Sequence, residues 1–433
     1  MSYDIILKGG NLMLNFISIN FIFNNINILF LSTGFLITLF TLLSSWSKIK
    51  QYRLLFLSLF FLFFISFCLV ITTKNWFIFM IGWELATLTT SLMLAWDDKN
   101  IAWEYFVIQF IGGSFLILTV LTAYTNGYPY IGAINELWLQ IMFIIALGVK
   151  SAIIGLHSWL PYIYKNSSAG FCALSSGLVA KLGYITLLRI ITEGNRFLLY
   201  LGMIMIYYGG IKALEEKNYK LILAYSSISQ FGFITLAIGS GNIYGYYGAV
   251  LHIIAHAFAK STLFNGAGIW IKEFNSTSIF NFKRCELRQK INAFSTILSF
   301  FSLMAFPFFI GYNSKYLIKY SLSSIPMFEF LLHLGSILTV AYALKILWII
   351  IFKDLKESEF DFKTEIKSNY QPTFIENLAI LIPSLSLIIL AITANIYLSH
   401  QFNFNYLSGF FTTFIYLIIA YLIRFPIMSR INH

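Results

Sequence analysis

Seven titratable side chains stand inside stretches that are otherwise apolar: Glu84, Lys150, Lys181, His252, His256, Lys260 and Lys315. The chemistry open to them is the taking up and giving back of protons. Lipid offers an ammonium no hydrogen bonds, so an ionisable group within a span is paired, hydrated or functional, and by default marks an ion pathway. Lys150 interrupts the apolar run from Met142 to Ile190 and is followed by His157-Ser158-Trp159-Leu160-Pro161. Lys181 repeats the anomaly one span later, too deep to reach water comfortably. Glu84, in Gly82-Trp83-Glu84-Leu85, needs a cation at that depth, and a buried Glu84–Lys150 ion pair is expected. His252, His256 and Lys260 follow one another at i, i+4, i+8 and share a helical face. Two histidines on one face cannot ligate a haem from opposite sides, and the lysine completing the stripe favours a hydrated proton relay over satisfied structural histidines. Lys315 reads either as a relay group or as an interfacial lysine like Lys319. Lys345 reads as a lesser member of the set or a snorkelling side chain, and Arg189 with Glu193 as a cap at a helix end.

The elements that carry these groups are membrane helices. Of 433 residues, 58% are hydrophobic and 11% charged, against about 25% charged in soluble domains. Runs of about 20 apolar residues without strand alternation predict an all-α polytopic bundle rather than a barrel. Hydropathy places thirteen spans, near 27–46, 54–73, 76–96, 104–124, 136–160, 168–191, 197–213, 221–240, 244–270, 291–320, 327–352, 374–397 and 408–424. With these alternating, one side collects Lys48, Lys50, Arg53, Lys99, Lys165, Lys217, Lys220, Lys272, Lys283, Arg284, Arg288, Lys290, Lys353, Lys356, Lys363, Lys367 and Arg424. The other holds little beyond Lys74, Arg189, Arg196 and Lys319. The bias predicts the N-terminus outside and the C-terminus inside, in the cytoplasm or matrix. It also accounts for the net charge of +11 without nucleic acid.

The fifth span, ending at Pro161, and the tenth, with Pro307 and Gly311, read as broken helices. Five spans separate them, an odd offset that reverses orientation, so two inverted five-helix repeats are expected, about 54–191 and 197–352. The division that follows is an external segment 1–26, a core 27–352, and 353–433 with a loop and two further helices. Cys68, Cys172 and Cys285 form neither a disulfide framework nor a metal site, and no nucleotide loop or haem ligand pair is present, so neither cofactor nor redox centre is expected in this chain. The N-terminal segment lacks the pattern of a cleaved signal.

Three stretches together resemble the antiporter-type subunits shared by proton-pumping NADH:quinone oxidoreductase (complex I) and the multisubunit Mrp-type cation/proton antiporters. They are Lys150-Ser151-Ala152 leading to His157 through Pro161, Lys220 through Ala224-Tyr225-Ser226-Ser227-Ile228-Ser229-Gln230, and His252 through Lys260 with Leu263-Phe264. Gly82-Trp83-Glu84 looks like the family's glutamate helix and Gly311 through Lys315 like its second broken helix. The resemblance covers roughly residues 27 to 350. It implies that Glu84 partners Lys150, that Lys181 is the next relay group, that His252, His256 and Lys260 form the central axis, and that Lys315 is the terminal basic residue. The chain departs from the pattern where Asn218-Tyr219 replaces the usual aspartate, in lacking histidines between Ser176 and Lys181, in beginning two spans late, and in ending without a long lateral helix. The implied function is translocation of protons, or of Na+ or K+ against protons, in a bacterial or mitochondrial inner membrane, with other membrane subunits as partners and no redox chemistry of its own. The competing expectation is a scaffold that keeps the fold without translocation.

Overall fold

The computed structural model describes residues 21–46, 52–282, 289–352 and 370–431, of which 352 and 423–431 are described by backbone alone. Lys48, Lys50, Lys283, Arg284, Cys285, Arg288, Lys353, Lys356, Lys363 and Lys367, and most of the N-terminal segment, lie outside the described residues. The described chain is all helix apart from short connections: α1 (Asn25–Trp46), α2 (Arg53–Thr72), α3 (Trp76–Leu94), α4 (Lys99–Thr125), α5 (Leu137–Lys150), α6 (Trp159–Asn166), α7 (Ala169–Leu174), α8 (Lys181–Ile190), α9 (Arg196–Glu215), α10 (Tyr219–Gly239), α11 (Ile243–Phe274), α12 (Lys290–Leu303), α13 (Ile310–Ser321), α14 (Pro326–Phe352), α15 (Phe374–Leu398) and α16 (Tyr406–Ile431). Among the described residues nine segments are single stretches long and apolar enough to cross a membrane, α7 through α8 counting as one of them.

Helix starts are set by side chains with a carbonyl or carboxylate to spare. Asn75, Asp98, Asn195, Asn218 and Asn242 each accept backbone N–H groups at the first turn of α3, α4, α9, α10 and α11. Asn218, the departure from the family aspartate, therefore does an N-cap's work. The connections sort into two sets, each knit together internally. In one set Ile134 N–H donates to Ile190 O (2.9 Å), Asn195 N–H to Gly239 O (2.8 Å) and Asn242 Nδ2 to Ser321 O (2.8 Å). In the other, Ser168 N–H donates to Asp97 (2.6 Å) and Tyr219 N–H to Thr277 O (2.8 Å). The second set carries Lys99, Lys165, Lys217 and Lys272 and is called the basic face below.

Both expected breaks are present, and of the three expected residues Pro307 lies within its break while Pro161 and Gly311 do not. The fifth span opens between Lys150 and Trp159, where Ala152 and Gly155 adopt left-handed backbone (φ 52° and 89°). Pro161 is not the breaker. It lies in the first turn of α6, where the N–H it lacks would have no helical partner. The tenth span opens between Leu303 and Ile310, with Pro307 between left-handed Ala305 and Phe308. Gly311 also falls inside a first turn, that of α13, and its missing Cβ admits the Ser302 carbonyl. A third irregularity was not foreseen: α7 and α8 are joined by a π-helical turn, Ser175–Val179.

The centre of the bundle is α10, buried along nearly its whole length. It lies backbone to backbone on α9, because a Cβ at Gly232 would come 2.6 Å from Gly202 O and 2.7 Å from Ile206 N. Overpacking against main chain has no rotamer by which to escape, so Gly232→Val is expected to cost about 1–3 kcal/mol, whereas Gly132→Ala, where a Cβ meets nothing within 4 Å, should stay within about 0.5 kcal/mol. Melting temperature in detergent distinguishes the two; equal melting would mean that the α9–α10 contact is not this close.

Candidate proton pathway

Each of the four expected lysines lies in the interior on its own helix, and each is held by carbonyl or hydroxyl oxygen rather than by a carboxylate. Lys150, the last residue of α5, donates to Trp83 O (2.9 Å) and Thr87 Oγ1 (2.8 Å) of α3, with its ammonium 4.2 Å from the centre of the Trp83 ring. The break beyond it is pinned by two donors: Trp159 Nε1 to Val149 O (2.7 Å) and Tyr184 OH to Ser151 O (3.0 Å). Lys181 donates to the Ser176 carbonyl, which belongs to the π-helical turn. Lys260 donates to Leu223 O (2.8 Å) and Ser226 Oγ (2.5 Å) of α10. Lys315 reaches back across the second break to Leu303 O (2.9 Å), at the end of α12, and lies 4.0 Å over the Phe233 ring. All four are fully or almost fully buried. Among the described residues none has a carboxylate oxygen within 4.0 Å.

The expected Glu84–Lys150 ion pair is therefore not a contact. Glu84 is half-buried on α3, its carboxylate against the space left by Gly113 of α4, while the backbone one residue earlier holds the lysine. The physical reason is geometric. Neighbouring residues on a helix point about 100° apart, so Glu84 faces outward when the Trp83 ring faces Lys150.

Between Lys181 and Lys315 stand the two histidines and two phenylalanines of α10. Phe231 lies between Lys181 (5.2 Å from the ring centre) and His256 (ring centres 5.0 Å apart). Phe233 lies between Lys315 and His252 (ring centres 5.8 Å apart). His252 Nδ1 is 2.9 Å from Ser314 Oγ, and that hydroxyl donates its one proton to Gly311 O (2.9 Å). In the neutral ring Nδ1 is then the donor, leaving Nε2 as a bare acceptor. His252 Nε2 and both nitrogens of His256 are buried without a hydrogen-bond partner. Buried polar atoms of this kind call for water, and imidazoles of this kind can pass a proton.

Other interior cations close helix ends. Arg189 donates to the carbonyls of Val70, Ile71 and Thr73 at the C-terminus of α2, the capping role expected of it. Lys345 donates to Leu214 O (2.6 Å) and Glu216 O at the end of α9, and Lys220 to Ser167 O (2.8 Å) beyond α6. Both stabilise a negative helix terminus, and neither snorkels. Sequence reasoning missed Trp83, Thr87, Ser176, Ser226, Phe231 and Phe233. The serines had a signal in their density within a span, and Trp83 in its position beside Glu84; the phenylalanines had none. Among the described residues no three His, Cys, Asp or Glu side chains gather into a set that could hold a metal ion.

The resemblance read from the motifs extends over the chain. Residues 73–341 match the family model described as NADH:quinone oxidoreductase/Mrp antiporter, TM. The chain is 30% identical over 362 residues to the NAD(P)H-quinone oxidoreductase chain 4, chloroplastic, of Hordeum vulgare, covering 73% of this chain and 69% of that protein, and similarly to that of Daucus carota. Its fold is similar to a chain of the Mrp complex from a Dietzia species (TM-score 0.82, 18% identity, 98% of this chain and 51% of that one). It is also similar to a chain of respiratory complex I from Thermus thermophilus (TM-score 0.75, 17% identity, 91% and 88%). A chain of an archaeal membrane-bound sulfane sulfur reductase gives a TM-score of 0.76 at 20% identity, over 92% and 84%. With broken helices on either side of a buried cation row and a family match spanning that whole region, the chain belongs to the NADH:quinone oxidoreductase/Mrp antiporter transmembrane family.

Proposed function

We propose that this chain conducts protons across an energy-conserving membrane as an antiporter-like subunit of a larger complex of the complex I or Mrp type. The observation that carries the reading is the row of buried amines and imidazoles, Lys150, Lys181, His256, His252 and Lys315, with Lys260 beside it, none held by a carboxylate. An ammonium and a carboxylate both sealed from water hold each other's charge in place, since breaking such a pair costs several kcal/mol. An ammonium resting on carbonyls and hydroxyls can change its protonation when a nearby charge changes, and each group in the row is the nearby charge for the next. Glu84 acts on Lys150 through the field across α3, and its partly buried carboxylate, against α4, is the point at which a neighbouring subunit reaches that field. The two broken helices, α5–α6 and α12–α13, are the matching elements of an inverted repeat, with the basic face inside. The match to multisubunit complexes and the exposed apolar faces of α4 and α16 support membrane subunits as partners.

Proton flux in vesicles carrying the assembled complex tests the reading. Lys150→Ala is expected to abolish flux while the chain still inserts, because the span becomes more apolar. Lys150→Arg is expected to fail too, since a guanidinium keeps its proton. Wild-type flux in Lys150→Ala would leave the scaffold reading in its place.

The geometry also predicts which neighbours of Lys150 are energetically coupled to it. In double-mutant cycles read by melting temperature, Glu84→Gln with Lys150→Met should show a coupling that is present but well short of the roughly 3–5 kcal/mol of a contact ion pair, whereas Thr87→Val with Lys150→Met should be the more strongly non-additive. The reverse pattern would restore a direct Glu84–Lys150 pair.

A further inference from the structure

Two helices outside the family-matched segment, α1 and α15, come from opposite ends of the described chain and pack beside one another on α11. They meet α11 along a polar seam. On α11 the seam is Ser261, Asn265, Gly268 and Lys272, spaced i, i+4, i+7, i+11 and so on one face. On α1 it is Thr41 and Ser44. The Ser44 hydroxyl donates to Asn265 Oδ1 (2.8 Å), while Asn265 Nδ2, Thr41 Oγ1 and Ser261 Oγ are buried without a partner. Between Ser44, Asn265, Lys272 and Glu376 lies a cavity of about 10 Å³, room for one water.

The two ends of the seam are chemically distinct. At the basic face, Glu376 in the first turn of α15 accepts from Lys272 Nζ (3.0 Å), Tyr370 OH (2.7 Å) and Thr373 N–H (3.0 Å), so a buried carboxylate is joined to a partly exposed lysine. At the inner end Ser261 borders Gly177, where an added Cβ would lie 3.9 Å from Ser261 Cβ. Gly177 follows Ser176, whose carbonyl holds Lys181.

We infer that this seam is the way by which protons enter from the basic face, with Glu376 and Lys272 as the receiving pair and Lys181 as the first group loaded. The inference rests on the proton-conducting reading above. A proton arriving at Glu376 passes to water in the cavity, and the amide and hydroxyl groups of Asn265, Ser44, Thr41 and Ser261 orient the waters that carry it inward. Each carrier accepts one proton and releases another, so nothing but the proton's position changes. Because hydroxyl and amide groups hold no charge of their own along this stretch, they conduct without becoming a second storage site. Loading at Lys181 also places the entry in the middle of the cation row, so that it serves both Lys150 and Lys315.

The test uses the full chain in its assembled complex in vesicles, with pH steps applied separately to each face. Asn265→Leu is expected to lower flux about tenfold or more, and Asn265→Ser, which keeps a polar group, to retain most of it. Glu376→Gln should displace the pH dependence of flux on the basic face and leave that on the opposite face unmoved, a result that simple loosening of α15 would not give. Wild-type flux and pH profile in both Asn265→Leu and Glu376→Gln, beside a dead Lys150→Ala, would overturn the seam and leave the proton-conducting reading standing. Equal losses in Asn265→Leu and Asn265→Ser with lowered melting temperatures would assign Asn265 to packing and overturn it as well. Wild-type flux in Lys150→Ala would remove both.

Discussion

An ammonium at mid-membrane must find oxygen in a place where every helical carbonyl is already engaged, and the architecture of this chain is a set of answers to that problem. The second helix break frees the carbonyl of Leu303 for Lys315, and the π-helical turn frees that of Ser176 for Lys181. Where no break is available, a hydroxyl one turn along supplements the carbonyl: Thr87 beside Trp83 O for Lys150, Ser226 beside Leu223 O for Lys260. Irregular backbone inside a membrane is costly unless something uses the groups it releases. Here cations use them, so the irregularities and the lysines explain one another.

The same oxygen chemistry serves a second purpose at the membrane faces. Arg189, Lys220 and Lys345 rest on the carbonyls at or just beyond the ends of α2, α6 and α9, where the helix dipole is negative and the chain turns. These contacts fix a geometry. Those in the interior carry, on the reading proposed above, a charge that has to be able to leave, and the difference lies in what surrounds them: aromatic faces at Trp83, Phe231 and Phe233 attract a cation without binding its proton. Central placement of α10 makes this possible, since its glycines seat it on α9 while its phenylalanines separate the lysines from the histidines.

Much of this was legible in the sequence because lipid makes charge conspicuous. Lys150, Lys181, His252, His256, Lys260 and Lys315 stand out from apolar surroundings by composition alone, and all are buried. The broken spans were legible for the same reason, as polar residues and prolines in long apolar runs. Pro307 marked its breakpoint, but Pro161 and Gly311 did not, because they suit a first helical turn as well as a break and only backbone geometry decides between them. The Glu84–Lys150 pair was a reasonable inference from charge and depth, but residue spacing cannot say which way a side chain points across a helix interface. Phe231 and Phe233 left no trace at all, being apolar residues in an apolar span whose importance comes from what two other helices bring against them. The Asn218 that departs from the family's aspartate is equally unremarkable once seen as a cap, since either side chain accepts the same N–H groups.

The arrangement around α3 has a consequence best put in electrical language. Glu84 and Lys150 are opposite charges on two sides of one helical turn, not touching, with the Trp83 backbone and ring as the insulator between them. They are placed like the plates of a small capacitor, one partly buried between α3 and α4 and the other inside. A capacitor transmits a signal without passing a particle. On the proton-conducting reading, a neighbouring protein that brings charge up to the outer plate acts on the inner one with no proton crossing between the two chains, and energy is handed along a row of subunits while each keeps its own ions.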